Sequence, residues 1–317
     1  MRLIPQRNFF TSDMKMADLL EANYRLLGIV ARLGMGGSCG DMSVGEFCEA
    51  HSFDPDTLIL ICNVYTFEDY IPDEAVLASS RIQDIVSYLH RSHEYYRKES
   101  LAALSDDIRE LIAPCSEKQQ HVIWQFYTGY RDELENHFEF EENQVFPYIR
   151  AIVSGEDTGG FSIEQFEENH SNIDEKLSDL KNLVMKSLPA ECDDALRTRL
   201  LYSLYLLQND LERHTALEDN ILVPMARMIE RSLWEDEPSV RDGRRKDENA
   251  LSEREKEILV CVAKGMLNKE IADKYNISIY TVISHRKNIT RKIGIKTVAG
   301  LTVYALLNGL LDINSVE

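Results

Sequence analysis

The sequence predicts an all-α protein. No stretch alternates apolar and polar residues with period two for long, apolar residues recur instead at helical spacing, and one helical motif occurs twice. The first copy reads Leu134-Glu135-x-His137-x-x-x-Glu141-x-Asn143-x-x-x-Pro147. The second reads Leu211-Glu212-x-His214-x-x-x-Glu218-x-Asn220-x-x-x-Pro224, with identical offsets. Four residues is about one helical turn, so His137 and Glu141 leave one helix face together, as do His214 and Glu218.

Each element follows from spacing and punctuation. Residues 13–34 read as an amphipathic helix, with Leu19, Leu20, Leu26, Leu27, Val30 and Leu33 in register, and Gly34, Gly36, Gly37 and Gly40 break it. Two shorter helices follow near 43–50 and 55–67, and Ile71-Pro72 marks a boundary that assigns 1–72 to a small N-terminal helical domain. Four long helices near 76–104, 117–153, 162–187 and 192–231 then form a bundle spanning 73–231. Gly155–Gly160 and Leu188-Pro189 supply its breaks. Residues 232–250 are charged, poor in apolar residues and read as a linker, and a compact helical domain fills 251–317.

Composition bounds the function. No apolar run reaches the roughly 18 residues of a membrane span, which predicts no membrane partner. The six cysteines are scattered with no C-x-x-C pattern, which argues against a disulfide framework or structural zinc and for a reducing cytoplasm. The net charge of −19 is uneven: residues 241–317 carry +4 and the rest −23. An acidic body with a basic tail implies that the tail alone meets a polyanion.

One imidazole and one carboxylate per helix, presented twice, suits a bundle that grips a pair of metal ions. The other two bundle helices offer His90 and His170. Four imidazoles and two carboxylates without thiolate favour iron or manganese over a structural zinc site. His93, one turn from His90, is the alternative ligand on the first helix; Glu139, Glu142 and Asp219 read most simply as a solvated acidic face.

The order His, H-x-x-x-E, His, H-x-x-x-E, with Phe146-Pro147 and Val223-Pro224 behind the two carboxylates, resembles the hemerythrin-like domains, nearest the bacterial repair-of-iron-centres branch. The resemblance implies a non-haem di-iron site, two iron ions per chain, that meets O₂, nitric oxide or peroxide. Its ligands by motif matching are His90, His137, Glu141, His170, His214 and Glu218. Oxygen carriers of this family have a further His where this chain has Asp174, which points away from reversible O₂ carriage. Residues 13–70 resemble the N-terminal domain of the iron-centre repair proteins, but Ser38-Cys39 stands where that family has a Cys-Cys pair. Haem held through His or Met is the alternative cofactor.

In the tail, Ser252 and Glu255 form a capping-box pattern, Gly265 ends the first helix, and a short helix at Asn268–Tyr275 precedes a basic helix running from Ile279 to about Ile293, which Ser278 can cap. A short helix, a turn and a basic helix is the logic of a major-groove reader. The L-S-E-R-E, N-K-E-I-A and T-V-x-x-H-x-x-N-I-x-x-K-I runs resemble the LuxR-type helix-turn-helix over 251–311. That resemblance implies duplex DNA as partner, with Ile283, Ser284 and Lys287 facing bases and Asn268, Lys269, Thr281, His285 and Lys292 near phosphates. It also implies a homodimer through the last helix, Val298–Asn308. The expected function is a cytoplasmic one-component transcription regulator, with no catalytic residues assigned. An iron-centre repair enzyme, or one that reduces nitric oxide or peroxide, with an accessory DNA-binding tail is the alternative.

Overall fold

A computed structural model describes residues 9–68, 70–156, 158, 160–163, 166, 174–189, 191–235, 251–275, 277, 279–295 and 297–311. Its elements are helices, with one isolated antiparallel bridge, Lys15–Ser43, among the described residues. They gather into two compact units that divide at Arg227/Met228, with the described residues before Glu164 in the first and the tail in the second.

The first unit opens with α1 (Met16–Ala22), α2 (Leu26–Arg32), α3 (Val44–Ala50) and α4 (Pro55–Thr66). The single helix expected over 13–34 is two. Asn23 is extended between them (φ −149°), and its side-chain amide donates to the Tyr65 carbonyl at 3.2 Å and to Thr66 Oγ1 at 3.0 Å. A long-range contact thus breaks a run that periodicity alone joins. Side-chain caps set the next starts: Ser43 with Glu46 in a capping box, and Asp54 on the Thr57 N–H ahead of Pro55.

The first bundle helix likewise starts later than expected. A short helix, α5 (Glu74–Ser79), stands before α6 (Ile82–Tyr95), which continues through a π-helical turn (Tyr96–Ser100) into α7 (Leu101–Ile112). The second bundle helix is α8 (Glu117–Phe140), a π turn (Glu141–Val145) and α9 (Phe146–Ser154), closed by Gly155 at φ +68°. The third is described as α10 (Asp174–Lys186). The fourth is α11 (Asp194–Leu217), a π turn (Glu218–Leu222) and α12 (Val223–Glu235), which carries the helix into the segment read as linker. Residues 236–250 lie outside the described ones.

The bundle core is apolar and continuous. Leu104 and Ile108 meet Tyr127, Tyr130 and Leu134, with Leu177, Leu180, Leu200, Leu204 and Leu207 completing it. The N-terminal helices share this unit. Arg32 of α2 is paired with Asp210 of α11, donates to the Tyr88 hydroxyl at 3.3 Å, and lies 4.4 Å from the centre of the Tyr95 ring.

The second unit contains α13 (Glu253–Ala263), α14 (Asn268–Tyr275), α15 (Ile279–Ile293) and α16 (Val298–Leu307) around Ile258, Leu259, Ile271, Val282, Ile289 and Leu301. The Ser252–Glu255 capping box and the turn at Gly265 (φ +78°) are as the sequence predicts. Ser278 lies outside the described residues.

Candidate metal centre and nucleic-acid interface

The motif repeat is a repeat of structure. Every matched residue in the second copy lies 77 positions after its counterpart. That register already holds at the helix starts, Glu117 and Asp194, and both helices run 24 residues before a π turn that begins on the motif carboxylate, Glu141 or Glu218. The third π turn follows His93. Single π turns inside α-helices concentrate at functional sites, because the wider turn re-aims the side chains around it. Here all three sit beside the histidines and carboxylates of one cluster.

That cluster joins His93, Glu141, His214 and Glu218, whose ligand atoms all lie within 4.8 Å of one another and whose side chains are fully or nearly fully buried. His93 Nε2 lies 3.1 Å from His214 Nε2 and 2.9 Å from Glu141 Oε2. His137 Nε2 adjoins from the rim, 2.9 Å from Glu141 Oε1, and His214 Nε2 is 3.1 Å from Glu218 Oε1.

His90 is corrected by this geometry. Its side chain is 52% exposed and hydrogen-bonds Glu142 instead of entering the cluster, where His93 takes the place on the first helix. The buried stripe of α6 explains the choice: Ile82, Ile85, Val86, Leu89 and His93 follow helical spacing, and His90 falls beside it. The stripe was readable in the sequence and favours His93 over the family register. His170 lies outside the described residues. Asp174 begins α10, but its side chain lies outside them too. His51 and His121 are exposed and far from this chemistry in sequence; His51 Nδ1 lies 2.8 Å from the Phe47 carbonyl oxygen.

Glu142 and Asp219 are not a solvated face. Glu142 Oε1 lies 2.7 Å from His93 Nδ1, which fixes the tautomer and leaves Nε2 free to act as a donor of its lone pair. Asp219, at the same place in the second copy, is also buried. The acid after each motif carboxylate is therefore a duplicated feature, Glu141-Glu142 and Glu218-Asp219, that the repeat could have disclosed. Glu139 is exposed as expected. The His93 ring is stacked between Phe138 (4.4 Å) and Phe146 (5.6 Å), which holds its orientation.

Burial opposes charge on both His93 and Glu141, and neighbouring opposite charges overcome it. His93 is pushed up to about 9 by Glu141 and Glu142, with Glu218 adding to the effect. Glu141 is held well below the usual carboxylate range by His137 and His93.

The donor set fits a metal. Neither Glu141 oxygen has a hydrogen bond of good direction, although both are fully buried, and His214 Nδ1 is also unpartnered. Two imidazole nitrogens 3.1 Å apart share one proton at most, so lone pairs converge on a buried point. Buried acceptors aimed at one another are costly unless a cation gathers them. The mixed imidazole and carboxylate set matches iron or manganese.

In the tail, Asn268 starts α14 and its Oδ1 accepts from Arg286 Nη1 at 2.8 Å, while Lys269 is exposed. Ile283 and His285 are half-buried. Two phosphate assignments meet a different geometry. Thr281 is 6% exposed and belongs to the core side of α15. Lys292 is committed to Glu255 at 2.6 Å, tying α15 to the buried acid of the α13 capping box. The side chains of Ser284 and Lys287 lie outside the described residues.

Two family models match this chain. Residues 84–226 match the hemerythrin HHE cation binding domain, over the helices that carry the cluster. Residues 249–305 match the bacterial regulatory proteins of the luxR family. The chain joins these two domains. Among curated relatives, the Transcriptional regulatory protein MctR of Rhizobium johnstonii is 45% identical over 62 residues, 20% of this chain and 29% of its own length. The Oxygen regulatory protein NreC of Staphylococcus aureus is 48% identical over 62 residues, again 20% and 29%. The chain thus spans under a third of the length of either relative. No described helix is long and apolar enough to cross a membrane.

Proposed function

We propose that this protein is a one-component transcription regulator. In this reading a non-haem di-iron site in the bundle senses O₂, nitric oxide or an oxidant, and its state biases duplex-DNA binding by the luxR-type domain. The observation that carries it is the buried His93–Glu141–His214–Glu218 cluster, held by a cation-binding domain in the same chain as a DNA-binding domain of a regulatory family. These four residues, with His137 and His170, would hold the iron as its proposed ligands. Iron bound here supplies a centre that changes charge on oxidation or on meeting a small gas.

The chain's own residues do the rest. Phe138 and Phe146 clamp the His93 ring and Glu142 holds its tautomer, so a change at the cluster is passed to α6, α8 and α11 and not absorbed by loose side chains. The helix bearing His214 and Glu218 continues through α12 towards the tail along the chain. Base contacts from Ile283, Ser284 and Lys287, with Lys269 on a phosphate, belong to the same proposal. A homodimer through α16 is supported by its outward apolar residues, Val298, Val303 and Leu307, the last 82% exposed.

The test uses full-length protein. Affinity for an operator, selected from random duplexes, is measured with the iron-loaded protein reduced, oxidised and treated with nitric oxide, and again after iron removal. The expected outcome is a difference of about 5- to 150-fold between states, the usual range of allosteric coupling. Equal affinity in every state would sink the sensor reading. Multiple-turnover consumption of nitric oxide or peroxide would then support the enzyme instead.

A further inference from the structure

The duplication extends to a pair of residues that the metal reading does not use. Cys115 stands two residues before Glu117, the first residue of α8, and Cys192 stands two residues before Asp194, the first of α11. They are 77 positions apart, the same offset that relates His137 to His214 and Glu141 to Glu218. The N-caps between them, Ser116 and Asp193, are matched as well. Equivalent residues of two structural copies meet only on the axis that relates the copies, and these two do meet: their sulfurs are 3.5 Å apart. Both residues are buried, 7% and 3% exposed, and belong to the bundle core.

The histidine and carboxylate cluster marks one end of this axis and the cysteine pair marks the other. From Glu117 to His137 is 20 residues of continuous helix, about 30 Å at 1.5 Å per residue. The cysteines are therefore far from the proposed ligands, yet they sit at the roots of both ligand helices.

We propose that Cys115 and Cys192 are a reversible dithiol–disulfide site, oxidised by peroxides, that staples the N-terminal ends of the two ligand helices. The chemistry balances without any metal. One thiol, as thiolate, attacks a peroxide oxygen. The O–O bond breaks, a sulfenic acid forms, and the departing hydroxide takes the thiol proton to give water. The second sulfur attacks the sulfenic sulfur, the S–S bond forms, and hydroxide leaves with the second proton as a second water. Two thiols lose two electrons and one hydrogen peroxide becomes two waters. A small thiol reverses the step by exchange.

The surroundings set its rate. Burial, with Cys192 beside it and Glu191 near, raises the Cys115 thiol to about 11, and Arg197 only partly offsets this. Little thiolate exists near neutral pH, so oxidation is slow and needs sustained peroxide. Geometry favours the intramolecular product once a sulfenic acid forms, because the partner sulfur is already in contact and only about 1.5 Å must close to reach a bond of about 2.05 Å. The other four cysteines, Cys39, Cys48, Cys62 and Cys261, hold no such register with one another.

The staple closes a long loop, 77 residues from one cysteine to the other. Loops of that size remove enough unfolded-state freedom to raise the melting temperature by about 10 °C in a unit of this size.

The experiment treats full-length protein with hydrogen peroxide and, separately, with diamide, which accepts two electrons and two protons without metal chemistry. Remaining thiols are alkylated under denaturing conditions, and the digest is mapped without reduction. The expected result with both oxidants is loss of two of the six thiols, a linked peptide pair containing Cys115 and Cys192, full return of both thiols with dithiothreitol, and a melting temperature raised by about 10 °C. Cys115→Ser should abolish the linked pair. Should that variant fail to fold, the wild-type peptide map decides alone. Six free thiols after diamide, a link between other cysteines, or Cys115 and Cys192 recovered only as sulfinic or sulfonic acids would overturn the proposal. None of these readouts depends on iron, so failure here is separable from failure of the sensor reading.

Discussion

His90 and His93 are three residues apart on one helix and differ in almost everything that matters to a metal. One is half in water on a carboxylate; the other is fully buried, stacked between two rings, with Nε2 in the cluster. His93→Ala should therefore lower iron affinity by at least the roughly 10- to 100-fold lost when an outer contact is removed. His90→Ala should leave iron content near that of the wild type. Metal analysis of both variants, purified without air, checks the pair; the reverse order would restore the family register. The same residue gives a pH dependence. In metal-free protein the His93 proton is held up to about 9, above its ordinary 6.5, so its stabilisation is complete below about 6.5 and lost as pH rises through 9. Glu141 is shifted the other way, so its stabilisation is present above about 4.5 and lost as pH falls below that. The melting temperature of the metal-free protein should fall on both sides of a maximum between about 4.5 and 6.5. Iron-loaded protein should lose the alkaline fall, because the metal replaces the His93 proton, and loading at neutral pH should release protons to an unbuffered solution.

Among the elements, the π turns and the tail ion pair show what local sequence hides. The second motif helix has no Gly or Pro before Glu218, the first has only Gly129, about three turns ahead of Glu141, and nothing in their propensity announces a wider turn at the carboxylates. In both helices the wider turn begins on the motif carboxylate, and both carboxylates are fully buried. In the tail, Lys292 looks like one more positive charge on a DNA-facing helix, but its partner Glu255 is only 4% exposed. Removing the lysine leaves that acid without its cation. Lys292→Ala should cost about 1–2 kcal/mol of tail stability, below the figure for a fully buried pair because Lys292 is partly solvated. Urea unfolding followed by hydrogen exchange at α13 and α15 would show it. A variant that keeps full stability and loses only DNA affinity would return Lys292 to the phosphate role.

Over the whole molecule, the proposal rests on two domains in one chain, an acidic body and a basic tail. What the sequence by itself determined is what repeats or recurs along the chain. Period set the all-α class, the duplicated H-x-x-x-E put one histidine and one carboxylate on a shared face of each of two helices, the Ser252–Glu255 capping box marked a helix start, and dense motifs marked the tail domain. These are local properties, carried by residues a turn or two apart. The tertiary structure decided what depends on residues far away in sequence. Asn23 ends α1 because it reaches Tyr65 and Thr66; His93 enters the cluster because its face of α6 is the buried one; Glu142 becomes a support because His93 comes to it from 49 positions away. Thr281 leaves the surface because the core claims it, and Lys292 is drawn to Glu255 because α13 packs against α15. Burial and long-range partnering cost or return free energy only once the helices are assembled, so no local pattern encodes them alone.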